Sequence, residues 1–383
     1  MYRILFFLDE AYSLFPGGEA GPRFGGAELQ LYTIADEVSK NSLFEVTWLF
    51  TDSKKYDVSL LNHPRMTILS RKPPFGRNIP ILARYFNRKR CITRKELLKP
   101  YQACNPDVII STMGSMAEDL RIESELAGAK TIFRVASDTD ITIPRANTPE
   151  ESEQILRDIS NFDSVVVATN EQQIALNKFR TSPSVKIAKF TKMLTNIRST
   201  SDSKHILWVA SCQKLKQPWI FLELAKSFPD EQFVMIMPPI DENLSHTIRA
   251  QADKIDNLKL IPVQISRDKI AEYFAGSKLF VNTSKIEGFP NTFLEAFSVG
   301  VPVLSLSFNP DDMINAHGLG ACADGSLSRL IEHCGTLLSD ERLLEEKGKS
   351  ACAYFKKNHN LEKIVQEWMS LIVETIEGRD DAD

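Results

Sequence analysis

The stretch Glu287–Leu306, EGFPNTFLEAFSVGVPVLSL, decides how this chain is read. Its two carboxylates, Glu287 and Glu295, stand eight positions apart, on either side of a loop that turns into a helix. The helix is expected to run to Gly300, and a short apolar strand, Val301–Leu306, follows. Gly288, Phe289, Pro290, Asn291 and Thr292 form the turn. They are small, rigid or polar, so their backbone N–H groups can approach a ligand closely. A helix start carries unpaired donors and partial positive charge, which suits a phosphate or a sugar oxygen. A carboxylate before the helix and another in its first turns can grip hydroxyls on either side. A blander reading competes: Thr292 followed by Glu295 also fits a capping box, in which Glu295 only ties down the helix start. An apolar run, Lys278–Ser284 (KLFVNTS), precedes the stretch and sets it at the carboxyl edge of a strand, where open α/β sheets bind ligands.

The pattern around it is of one kind. Short β-branched runs at Tyr2–Leu8, Phe44–Phe50, Met66–Ser70, Asp107–Thr112, Lys130–Ala136 and Ser164–Thr169 alternate with helical patterns such as Ala27–Ser39. A second series holds His205–Ala210, Gln232–Met237, Leu258–Val263, Lys278–Ser284 and Val301–Leu306, with a helix at Pro218–Ser227. Such alternation predicts parallel sheets covered on both faces. The polar stretch Asn196–Lys204 reads as a linker. The expected division is therefore 1–195, a linker at 196–204, 205–360, and a last amphipathic helix and tail at 361–383. A chain of 383 residues is comfortable for two domains.

Composition narrows the class. Hydrophobic content of 43% and charged content of 25% are ordinary for a globular protein, and the net charge of −4 argues against a generally basic nucleic-acid binder. No run approaches the about 18 apolar residues that span a bilayer. The start, MYRILFFLDEAYS, lacks a signal-peptide shape because Asp9 and Glu10 cut the apolar run short. The expected location is cytoplasmic. The six Cys and six His are scattered, with no CxxC, so neither a disulfide frame nor a zinc site is expected.

Two further stretches bear on chemistry. FGGAELQLYTIADEVSK, Phe24–Lys40, opens a helix on the Gly25–Gly26 pair, which lets backbone approach a ligand and leaves the helix amides free. It is neither a Walker motif nor GxGxxG, and a Gly pair can equally be only a turn. WVASCQKLKQP, Trp208–Pro218, follows the first strand of the second series; by default Lys214 and Lys216 there are solvated loop lysines.

The spacing of Glu287 and Glu295, with seven residues between them, resembles the E-x7-E element of family 4 retaining glycosyltransferases. The resemblance covers most of the chain, is strong over Ser203–Ile372 and weaker from Arg71 to Ala188. It implies the GT-B fold: two Rossmann-like, doubly wound α/β domains facing a cleft, with the final helix crossing back to the first. The implied activity is retaining transfer of a sugar from a nucleotide-sugar donor to a glycan or lipid-linked acceptor, in polysaccharide or glycolipid assembly. No metal or other cofactor is implied.

By the same resemblance, Glu287 binds the donor sugar hydroxyls and Glu295 the nucleotide ribose. The turn Gly288–Thr292 and Val263 complete the donor set. Lys216 matches the family's pyrophosphate-binding Lys, while Ser211 stands where its Arg is expected; Lys214 or Gln213 is left to supply part of that role, although a point charge does not reproduce a guanidinium fork. Gly25 and Gly26 match the family's loop near the phosphates and acceptor. The family's first-domain His has no counterpart in FRVASDTD, Phe133–Asp140. Asp138 is the expected acceptor-facing side chain there, although Asp138 and Asp140 also suit a plain turn. The departures at Ser211 and at this His keep two other readings open: a non-catalytic nucleotide-sugar or glycan-binding protein, and a GT-B phosphorylase or epimerase.

The last local feature is basic. Arg71–Lys99 holds ten basic residues and one acidic residue. Arg84, Arg88, Lys89 and Arg90 interleave with Tyr85 and Phe86, which suits an anionic membrane surface and predicts a peripheral association with the inner face of a membrane. A solvated charged face is the plain alternative.

Overall fold

The computed structural model describes residues 1–18, 25–51, 57–71, 94–112, 117–136, 141, 149–180, 182, 184–188 and 205–378. The expected linker at 196–204 lies outside these. The chain divides into two compact units. One takes in Met1–Ala136, Asp140–Ile187 and Glu362–Asp383, and the other is built mainly of Ala188–Leu361.

The first unit carries a parallel sheet of β1 (Tyr2–Phe7), β2 (Phe44–Thr51), β3 (Met66–Arg71), β4 (Val108–Ser111), β5 (Lys130–Arg134), β6 (Ser164–Val167) and β7 (Val185–Lys186). Their order is β3-β2-β1-β4-β5-β6-β7. The inner strands are continuous apolar runs because helices cover both faces; β1 buries Ile4, Leu5, Phe6 and Phe7 in succession. Trp48 of β2 stacks on Phe6 with ring centroids 5.7 Å apart. The helix Leu361–Glu377 is counted with this unit, so the chain crosses back. It buries Trp368, Leu371 and Ile372. Thr375 Oγ1 meets Ser164 Oγ at 2.8 Å, and the Tyr2 hydroxyl donates to Glu377.

Arg71 departs from its place in the basic run. It ends β3 fully buried, donates to Glu123 and to the Tyr101 hydroxyl, and lies 4.3 Å over the Phe7 ring. A buried charge needs a partner of opposite sign, and Glu123 supplies it. Arg71 is thus a core residue and contributes nothing to a basic surface.

The second unit carries β8 (His205–Val209), β9 (Phe233–Ile236), β10 (Leu258–Ile261), β11 (Ser277–Asn282), β12 (Val303–Ser305) and β13 (Gly320–Cys322). These too are parallel, in the order β10-β9-β8-β11-β12-β13. The order reverses between β8 and β11, and an open sheet offers its ligand crevice at the carboxyl ends of such a pair. Cys212 and Cys334 are buried in this unit's core, and burial pushes the Cys334 thiol up to about 12. It is a packing residue, not a nucleophile. No helix among the described residues is long and apolar enough to cross a membrane.

Candidate active site

The loops that leave β8 and β11 are tied together. After β8 the chain makes a single 3-10 turn, Lys214–Lys216, and then Gln217 adopts a left-handed conformation, φ 48° and ψ 54°, before Pro218 opens the helix Pro218–Ser227. A left-handed non-glycine residue is unfavourable and needs support. Gln217 Nε2 donates to the Thr283 carbonyl at 2.9 Å, just past β11. Thr283 Oγ1 accepts from Trp208 Nε1 at 2.9 Å and donates to the Lys216 carbonyl at 2.6 Å. The Lys285 amide donates to the Leu215 carbonyl at 2.8 Å.

This lacing brings Lys216 and Glu287 into contact. Lys216 Nζ donates to Glu287 Oε1, which also accepts from Ser284 Oγ at 2.6 Å. The two charged side chains are only 21% and 16% exposed, so the pair is held in a partly dry setting. The residues that the sequence marks separately, one after each strand, form one ion pair at the switch point.

Beyond Glu287, Gly288, Phe289 and Pro290 are buried. Phe289 packs against the His359 ring at 5.4 Å between centroids. The helix Asn291–Ser298 starts after Pro290, with no side-chain cap. The capping box expected as the bland reading is therefore not formed: Thr292 lies inside the helix, and Glu295 turns elsewhere. Glu295 is buried, and its Oε1 accepts from Arg267 Nη2 at 2.8 Å. Burial pushes its carboxyl above the usual range, while the charge and hydrogen bond of Arg267 pull it back.

Ser211 accepts from Gln213 Nε2 at 2.9 Å, so Gln213 is engaged locally, and Lys214 is exposed. Val263 is exposed in the loop after β10. In the first unit, Gly25 caps the helix Gly26–Val38, but its amide donates to Glu28 Oε2 at 2.7 Å. The expectation of free amides at this helix start is thus corrected for Gly25: the acidic residue of its own GGAE stretch occupies it. Asp138, Arg84, Arg88, Lys89 and Arg90 lie outside the described residues. Arg267 and Ser284 went unnoticed in the sequence; a cation opening a helix is the one local oddity that pointed to Arg267.

Comparison with known proteins bears on this same unit. Residues 203–340, which hold β8 to β13 and the site, match the family model described as Glycosyl transferases group 1. A Haemophilus influenzae protein described as an uncharacterized glycosyltransferase is 24% identical over 225 residues. That match takes in 56% of this chain and 62% of the relative, so the chain spans less than two thirds of the curated protein it matches.

Among solved structures, the chain is similar to sucrose-phosphate synthase from Thermosynechococcus elongatus, with a TM-score of 0.78 and 14% identity over 98% of this chain and 100% of that one. It is also similar to Anabaena HepE in complex with UDP and glucose, at 0.73 and 16% over 98% and 100%. A glycine-to-arginine mutant of S. aureus TarM, in complex with Fondaparinux, α-GlcNAc-glycerol and UDP, is similar at 0.71 and 12% over 97% and 100%. The architecture is the GT-B fold.

Proposed function

We propose that the protein is a retaining glycosyltransferase of the family 4 kind, moving a sugar from a nucleotide-sugar donor to a glycan or lipid-linked acceptor. The observation that carries this is the Lys216–Glu287 pair at the switch point between β8 and β11, at the foot of the Gly288–Thr292 turn into a helix that holds Glu295. In this reading Glu287 is the donor-sugar ligand and Glu295 the ribose ligand of an E-x7-E element. UDP is the nucleotide to try first, because the HepE and TarM complexes contain it.

The chemistry follows from charge. As the bond between the anomeric carbon and the diphosphate oxygen breaks, positive charge builds on the sugar and negative charge on the leaving group. Lys216 answers the second, together with the amides at the start of the helix Asn291–Ser298. Glu287 lies beside the first. In the free protein these two side chains are paired with one another. A diphosphate that takes over Lys216 releases the Glu287 carboxylate for a sugar hydroxyl. The reaction needs no bound metal, and the acceptor belongs to polysaccharide or glycolipid assembly.

A thermal-shift screen against UDP-, GDP- and CMP-sugars tests the donor; a ligand at about 100 times its dissociation constant stabilises by about 2.7 kcal/mol. Product analysis by NMR then reads the anomeric configuration, and an inverted product refutes retention. A second reading, nucleotide-sugar binding without turnover, is favoured by Ser211 in place of the family's Arg. Donor binding with no transfer to any acceptor would establish it.

A further inference from the structure

Arg267 is a second cation at this site, and none of the motifs includes it. It opens the helix Arg267–Ala275 directly after the Ser266 cap, shortly beyond Val263. A positive side chain in the first turn opposes the helix dipole, so helix formation alone does not select it. Its guanidinium reaches to the helix Asn291–Ser298 and donates from Nη2 to Glu295 Oε1 at 2.8 Å. Glu295 is the inner partner, with its side chain 8% exposed, and Arg267 the outer one at 43%. The neighbours of Glu295 along its helix are buried and apolar: Phe293, Leu294, Ala296 and Phe297. Glu295 Oε2 carries no hydrogen bond among the described residues.

We propose that Arg267 is a positioning residue for the donor's ribose: it clamps one oxygen of Glu295 and so presents the other to a ribose hydroxyl. This rests on the glycosyltransferase reading and adds a residue to it. A buried carboxyl left alone would favour its protonated form, which is a poor acceptor. A guanidinium on Oε1 favours the ionised form against that burial, and a hydroxyl donating to Oε2 of the carboxylate makes a charge-assisted bond, about twice as strong as a neutral one. The planar fork also fixes the carboxylate plane, which a Lys ammonium does less well. Because the clamp bears on Glu295, the ribose ligand in this reading, and not on the Lys216–Glu287 pair, it acts on donor binding and not on the bond-breaking step.

Calorimetric titration of wild type, Arg267→Gln, Arg267→Lys, Glu295→Gln and the Arg267→Gln/Glu295→Gln double variant tests this. The probes are UDP, GDP and CMP, and the 2′-deoxy and 3′-deoxy forms of whichever binds. Arg267→Gln should bind about tenfold more weakly, the loss of one charge-assisted contact, and should discriminate less between ribose and deoxyribose. Arg267→Lys should regain part of both. Within the Glu295→Gln background, Arg267→Gln should change nothing more, because both act through one carboxylate. The donor KM should rise with kcat little changed. Wild-type affinity and wild-type deoxy discrimination in Arg267→Gln would overturn the proposal, as would an equal loss with and without Glu295. Failure of wild type to bind any of the three nucleotides would instead remove the glycosyltransferase reading, and this inference with it.

Discussion

Glu287→Ala is the most telling single change. It removes the acceptor shared by Lys216 Nζ and Ser284 Oγ and leaves a partly buried ammonium without its counter-charge. A hydrogen bond to a charged group contributes about 1.5–3 kcal/mol when buried, and an exposed ion pair about 0–1 kcal/mol. With side chains 21% and 16% exposed, the pair lies between these limits, so truncation should cost about 1–2 kcal/mol. For a domain of this size that lowers Tm by about 2–8 °C, which leaves a folded protein. Transfer should fall by a factor of about 100 to 1,000, the range for losing one preorganised electrostatic partner. Glu287→Gln separates charge from shape: it keeps an acceptor for Ser284 but no counter-charge for Lys216, and it should lose nearly as much activity with less loss of Tm. Initial rates of donor turnover and thermal melts of the three proteins together decide the matter. Near-normal turnover in Glu287→Ala would refute the catalytic assignment, and a collapse of Tm in step with activity would reduce Glu287 to a structural partner of Lys216.

Three other outcomes are expected. Burial raises the Glu295 carboxyl above its ordinary 4.5, so the folded state holds that proton more tightly than the unfolded one; stability from this group is full below pH 4.5 and is lost as pH climbs through the raised value. Glu295→Gln, which cannot ionise, should therefore melt higher than wild type at about pH 7.5 and lose that advantage at about pH 4, while binding nucleotide more weakly; a variant that melts lower at the higher pH contradicts the sign. Transfer should survive EDTA, and a complete loss restored by magnesium or manganese would promote Asp138 and Asp140 to metal ligands. Changing Arg84, Arg88, Lys89 and Arg90 together to Gln should abolish pelleting with anionic vesicles, since each basic side chain near such a surface contributes about 1 kcal/mol; donor-nucleotide affinity should be spared, and equal pelleting of both proteins would make the stretch a solvated face.

Much of the fold is legible in the amino-acid sequence itself. A stretch buried on both faces is apolar without a break, so Ile4–Phe7 of β1, Trp48–Phe50 of β2, Val108–Ile110 of β4 and Ile206–Trp208 of β8 announce themselves as runs, and the helices between them dictate parallel pairing. EGFPNTFLE likewise declares a loop that becomes a helix, since glycine and proline punctuate the backbone locally. The short edge strands β7 and β13 escaped this reading, because two or three residues carry no period. At β13 the deciding residue is Gly320: a Cβ there would lie 1.8 Å from the Val303 carbonyl oxygen, a constraint set by the paired strand β12 and not by its own neighbours.

What the tertiary structure alone decided is which charges meet. Lys216 and Glu287 are 71 residues apart, Arg267 and Glu295 are 28 apart, and Arg71 and Glu123 are 52 apart. A local pattern reports the propensity of neighbours and the face they share; it carries no term for a partner on another strand or helix. Glu295 could thus read as a cap and Arg71 as part of a basic surface. Only folding exposes the cost of burying each charge, and with it the partner that each one requires.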